Sequence, residues 1–161
     1  VHACGYTKHG AIGILQNNCV LLTQIVSLKN IQAVSCGVQH SIFLDYNGNV
    51  FSIGSNVTGR LGIGKSYDEL DFTCEPQKIN LPKISQISCG SGFTICLSEE
   101  GNLYSFGYCD YGGLGLGETC VALSPQRILS LENVEFVDCG GYHAFCKTLN
   151  NEIYSWGYNY F

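Results

Sequence analysis

With 161 residues, 45% of them apolar and only 13% charged, the chain has the hydrophobic content of a folded domain and too little charge for intrinsic disorder. Its 8 basic and 13 acidic residues leave a net charge of −5, which gives nucleic acid and anionic membranes nothing to attract. No apolar run reaches the ~18 residues of a membrane span, no secretory leader is visible, and a start at Val1 without an initiator methionine is the expectation for a fragment or processed product.

Taken in chain order, the sequence is one unit written repeatedly. Val1-His2-Ala3-Cys4-Gly5 aligns with Val50 to Gly54, so the chain opens inside a unit. Ile31-Gln32-Ala33-Val34-Ser35-Cys36-Gly37 predicts a strand, and a tight connection leads to a second strand, His40-Ser41-Ile42-Phe43-Leu44. Asn47-Gly48 reads as a two-residue type I′ hairpin, which needs positive φ at both positions. A third strand covers 50–53, a glycine-rich loop follows, and a fourth strand covers 76–79 with Pro76 at its start, where a missing N–H costs least. The same four strands recur about 50 residues on, since Cys36, Cys89 and Cys139 are spaced by 53 and 50 residues. Four short strands per ~50-residue period describe a propeller blade, and no window carries helical periodicity. The expected fold is all-β: a partial β-propeller of about three four-stranded antiparallel blades. The expected organisation is a single repeat domain over 1–161, with copies over about 1–30 (partial), 31–83, 84–133 and 134–161 (partial).

The pattern Cys-Gly-x-x-His-[Ser/Ala], Gly-x-Val-[Phe/Tyr]-Ser-x-Gly, Gly-x-Leu-Gly-x-Gly resembles the repeat of the regulator of chromosome condensation family. It runs from Cys36 to Gly64, from Cys89 to Gly117, and from Cys139 to Tyr158, where the last copy is cut short. The resemblance implies a seven-bladed ring of about 350 residues, of which one copy of this chain supplies roughly three blades. Departures are Phe93 where the other copies have His40 and His143, Lys147 for Leu44 and Leu97, and Cys109 for Asn56 and Asn159.

Gly59-Arg60-Leu61-Gly62-Ile63-Gly64-Lys65-Ser66 matches the phosphate-binding loop pattern, but the acidic segment that follows leaves no room for the helix such a loop requires. The repeat accounts for these glycines as turns and close blade packing. His40 and His143 are expected to be half-buried packing residues bonded to backbone, and the ten cysteines to be free thiols, because the recurring ones fall in separate blades. Asn56-Val57-Thr58 is a glycosylation sequon of the kind that arises by chance. No catalytic, cofactor or metal site is assigned. The loop after Gly64 is four residues longer than its counterpart after Gly117 and carries Tyr67, Asp68, Glu69, Asp71 and Phe72. Loops on a rigid scaffold are where binding is usually placed, so these five are the candidate protein-binding residues. The expected function is a non-enzymatic, intracellular protein-interaction scaffold, cytoplasmic or nuclear, with a protein partner and no nucleic acid or membrane. The alternative that the resemblance implies is nucleotide exchange on a Ran-like small GTPase. A third reading, an extracellular binder, would require a leader upstream of Val1.

Overall fold

The structure, a computed structural model, describes residues 1–5, 8–13 and 19–160. Strands β1 (His2–Gly5) and β2 (Cys19–Gln24) form a two-stranded sheet. Strands β3 (Ile31–Cys36), β4 (His40–Asp45), β5 (Val50–Ser55) and β6 (Phe72–Lys78) form a four-stranded sheet in sequence order. A second four-stranded sheet repeats it with β7 (Ile84–Cys89), β8 (Phe93–Ser98), β9 (Leu103–Tyr108) and β10 (Val121–Arg127). Strands β11 (Val134–Cys139), β12 (His143–Thr148) and β13 (Ile153–Gly157) make a three-stranded third. All pairings are antiparallel, and the described residues contain no α-helix, only 3-10 turns at Lys8–Gly10 and Val57–Gly59. The chain is therefore an all-β partial propeller of about three blades.

Within a blade the second strand has the simplest composition. All six residues of β4 and of β8 are buried, because neighbouring sheets cover both of their faces. Such strands read as continuous apolar runs rather than alternating ones, the pattern of HSIFLD and FTICLS.

Two local readings of the sequence are corrected. The Asn47-Gly48 hairpin is not type I′. Gly48 sits at φ 75°, but Asn47 is absent from the positive-φ residues, and the Gly48 N–H bonds to Asp45 O at 3.0 Å. The turn is centred on Tyr46-Asn47 with Gly48 as the left-handed residue after it, a longer hairpin loop. Asp45 decides this: its carboxylate accepts from the N–H groups of Asn47 (2.9 Å) and Asn49 (2.8 Å). Gly101 (φ 79°) and Asn151 (φ 64°) repeat the geometry.

The fourth strands also start earlier than expected, at Phe72 and Val121. Pro76 and Pro125 lie inside them, not at their starts. The register shifts between Ser52 and Gly54 and again between Ala122 and Gln126, so each proline falls in a bulge where no ladder N–H is required.

The blades are joined by repeated ties. Ser35 Oγ accepts from Cys89 N–H at 2.9 Å, and one blade later Ser88 Oγ accepts from Cys139 N–H at 3.0 Å. The Gln86 amide donates to Val137 O (2.7 Å) and accepts from Val137 N–H (3.2 Å). Packing follows the same rule. A Cβ on Gly62 would stand 2.6 Å from the Phe106 ring, and one on Gly115 would stand 3.0 Å from Trp156 Nε1. The glycine-rich loop of one blade thus receives the third-strand ring of the next. Ser52 and Ser105, both fully buried, hold those loops in place by donating to Leu61 O (2.8 Å) and Leu114 O (2.7 Å).

The third sheet shows what a neighbour contributes. Ile153 is 72% exposed, whereas Val50 and Leu103 at the same repeat position are 1% and 0% exposed. Lys147, which stands where Leu44 and Leu97 are buried, pairs with Glu135 at the surface.

Candidate functional site

The loops joining first to second strands (37–39, 90–92, 140–142) and third to fourth strands (56–71, 109–120) all leave the sheets at one end. This end is the rim that carries every candidate binding residue.

The long loop is built on Asn56. That side chain is 0% exposed; its Nδ2 donates to Lys65 O at 2.9 Å, its Oδ1 accepts from Leu61 N–H at 3.4 Å, and its own N–H donates to Asp71 O at 2.7 Å. The sequon asparagine is thus a buried loop anchor, closed to glycosylation. Ser66 begins a short turn: Glu69 and Leu70 N–H groups bond to Ser66 O at 3.2 and 3.1 Å. Glu69 folds back on it, its Oε2 accepting from Ser66 N–H (2.9 Å) and Ser66 Oγ (3.0 Å). These bonds hold the Glu69 carboxyl below its ordinary pKa.

The five candidates divide accordingly. Tyr67, 53% exposed, and exposed Asp68 project from the turn, and Asp71 is exposed while accepting from Phe72 N–H at 2.8 Å. Glu69, also exposed, is committed to its own turn. Phe72 is the first residue of β6, half-buried, with its ring edge-on to His9 at 6.5 Å.

The phosphate-loop look-alike has spent its amides. Gly59 N–H bonds to Asn56 O (3.0 Å), Gly62 N–H to Gly59 O (2.9 Å), and Gly64 N–H to Leu123 O (2.8 Å). Those groups close the turns and tie the segment to strand β10 of the next blade, and a turn rather than a helix follows.

His40 departs from expectation. It is wholly buried, and its Nε2 meets the Thr94 hydroxyl of the next blade at 3.1 Å rather than backbone, while Nδ1 has no partner. Burial first, and the nearby Arg60 charge second, lower its pKa to about 3, so it is a neutral inter-blade packing residue. Its ring lies on the Gly37 α-carbon as Phe93 lies on Gly90, which is why either ring fills the position.

None of the nine cysteines whose side chains are described is in a disulfide. Cys36, Cys89 and Cys139 do belong to separate blades, yet they line one shared depression on the rim with the residues that follow each of them. Burial pushes the thiols of Cys89 and Cys139 up to about 11 and about 12, so they are protonated packing groups. Residue-by-residue reading missed this convergence and missed Arg60, whose side chain lines a rim pocket with four tyrosine, cysteine and aspartate neighbours from the next blade: Tyr108, Cys109, Asp110 and Tyr111. The available signal was that equivalent first-strand positions in a propeller approach a common axis.

Repeated four-stranded sheets, inter-blade ties at equivalent positions and loops gathered on one rim define a segment of a repeat-built β-propeller. Models of the regulator of chromosome condensation (RCC1) repeat match residues 47–97 and 100–146, and in a second form 31–60, 84–112 and 134–161. The chain belongs to that family. It is 39% identical over 168 residues to the probable E3 ubiquitin-protein ligase HERC6 of Homo sapiens, covering 99% of this chain and 16% of that protein. It is 35% identical over 164 residues to the secretion-regulating guanine nucleotide exchange factor of Mus musculus, covering 96% of this chain and 34% of that one. It thus spans well under half the length of either curated relative. Its fold resembles that of Prp20p from Saccharomyces cerevisiae, with a TM-score of 0.84 and 22% identity over 97% of this chain and 40% of that one.

Proposed function

We propose that the chain is part of a non-catalytic, intracellular protein-interaction scaffold, and that residues 1–161 act as one repeat domain whose rim presents the turn at 66–71 to a partner with a basic surface. The observation that carries this is the construction of the turn. Asn56 anchors it and Glu69 closes it, so Tyr67, Asp68 and Asp71 are displayed from a fixed backbone. Pre-ordering lowers the entropy cost of binding. Basic partners fit the local charge and the net charge of −5.

A second reading, nucleotide exchange on a Ran-like small GTPase, is favoured by the 35% identity with a guanine nucleotide exchange factor over 96% of the chain. The structure of Prp20p was described together with its binding to Gsp1p and histones, partners of the kinds these readings name.

Replacing Asp68 and Asp71 with Ser, with Glu69 kept to preserve the turn, tests both. Capture of a histone-like or GTPase partner should weaken, and high salt should weaken it further. Unchanged capture reduces the turn to a connector. Acceleration of GDP release from a Ran-like GTPase by the parent protein, lost in the double variant, would select the exchange reading.

A further inference from the structure

Where loops of the sheets β3–β6, β7–β10 and β11–β13 meet, the rim holds a pocket of about 230 Å³, lined by Val38, Arg60, Ser91, Gly92, Tyr111 and Tyr142 among others. Arg60 is its one cationic group. The guanidinium is half-buried; Nε donates to Val57 O at 2.8 Å and one terminal nitrogen donates to Gln39 Oε1 at 3.3 Å. The second terminal nitrogen lies 3.9 Å from where a Cβ on Gly92 would stand. At the position of Gly92 the other copies carry Gln39 and Tyr142, and at the position of Arg60 the next copy carries Gly113, so guanidinium and open floor occur together only here.

Arg60 lacks a carboxylate. The ion pairs among the described residues are Arg127 with Glu132 and Lys147 with Glu135. Asp110 also lines the pocket, but its carboxylate accepts the Tyr108 hydroxyl. Taking a cation partly out of water without an opposite charge is costly, and burial accordingly lowers the Arg60 pKa. Tyr111 and Tyr142 pack edge to face at 6.0 Å, each about half exposed (51% and 52%), so together they form an apolar wall on which a short aliphatic stem can rest. Tyrosine and arginine are also the residues enriched where protein interfaces concentrate their energy.

We propose that this pocket receives an aspartate or glutamate side chain of a protein partner, its carboxylate bonding to the free N–H groups of Arg60 and its methylenes lying against the exposed side of the Tyr111–Tyr142 pair. The identity of the bearer as a protein rests on the scaffold reading; the pocket's preference for a carboxylate does not. A partner would then present an acidic anchor to this pocket beside the basic surface that meets the turn at 66–71.

The test needs no partner. Phenylglyoxal modifies accessible guanidinium groups, and peptide mass spectrometry separates Arg60 from Arg127, the chain's other arginine. Blocked Gly-Glu-Gly should slow modification of Arg60 about threefold, the scale of a partly exposed ion pair, and leave Arg127 unaffected. Blocked Gly-Gln-Gly and Gly-Lys-Gly should not protect, and Tyr111→Ala should lower the protection. Equal protection by the glutamine peptide, or by acetate at the same ionic strength, overturns the proposal. So does an Arg60 that phenylglyoxal cannot reach in the free protein. Either failure would leave the reading of the turn at 66–71 standing, since that is decided by Asp68 and Asp71.

Discussion

Gly62 and Gly64 provide a controlled comparison of two reasons for a glycine. Both adopt left-handed backbone, at φ 67° and φ 74°. A Cβ on Gly64 would meet nothing within 4 Å, whereas one on Gly62 would stand 2.6–2.9 Å from three atoms of the Phe106 ring. Phe106 is fully buried and cannot swing away. Gly64→Ala should therefore cost only the backbone penalty, about 1–2 kcal/mol. Gly62→Ala should cost that plus overpacking of about 1–3 kcal/mol, so the two variants differ by the second amount alone. With a urea dependence of about 1–3 kcal/mol per molar, the midpoints should be separated by roughly 1 M. Trp156 is a suitable reporter, being the chain's one tryptophan and donating to Gly113 O across the last blade junction at 3.0 Å. Adding Phe106→Leu should relieve part of the Gly62→Ala cost while leaving the Gly64→Ala cost unchanged, a coupling expected only between residues in contact. Equal losses for the two alanines would refute the assignment of Gly62 as the seat of the next blade's ring.

Removing the Asn56 anchor by Asn56→Ala should cost about 1–3 kcal/mol, since it leaves buried loop groups unpaired, and should speed hydrogen exchange over residues 61–71; expression in a secretory host should add no glycan at Asn56 in the folded parent. The pH dependence of stability should carry the signature of His40. Its pKa falls from 6.5 unfolded to about 3 folded, so the unfolded chain binds the extra proton and stability declines as pH falls through that window. The limiting slope is about 1.4 kcal/mol per pH unit, and His40→Phe, which copies the Phe93 arrangement, should remove that component in acid titrations followed by circular dichroism. Under native alkylation Cys4 and Cys36, both exposed, should react well before Cys89, Cys96 and Cys139, whose thiols burial holds protonated. Denaturing alkylation without reductant should then count all ten thiols, and a shortfall of four or more would contradict the unbridged structure.

The strand order and blade period were legible because their determinants are local and repeated. A run such as Phe93-Thr94-Ile95-Cys96-Leu97 can be satisfied only where both faces are covered, and the left-handed residue after each hairpin turn is written as Gly48, Gly101 or Asn151. The long loop was legible as an excess over its counterpart. Its internal division was not, because a carboxylate that closes a turn and one that faces water look alike in sequence. Glu69 differs from Asp68 only through the Ser66 N–H and hydroxyl that its longer side chain meets.

By itself, then, the sequence determined the all-β blade, its four strands, the family and the rim segment that varies between copies. Tertiary structure decided everything that depends on which blade lies beside which. It placed the Phe106 ring on Gly62, set His40 against Thr94, gathered Cys36, Cys89 and Cys139 into one depression, and left Arg60 facing a tyrosine pocket over Gly92. The physical reason is range. Strand pairing and turns are fixed within a few residues of chain, whereas burial and charge pairing depend on side chains about 50 positions away, brought together only when the sheets pack around a common axis.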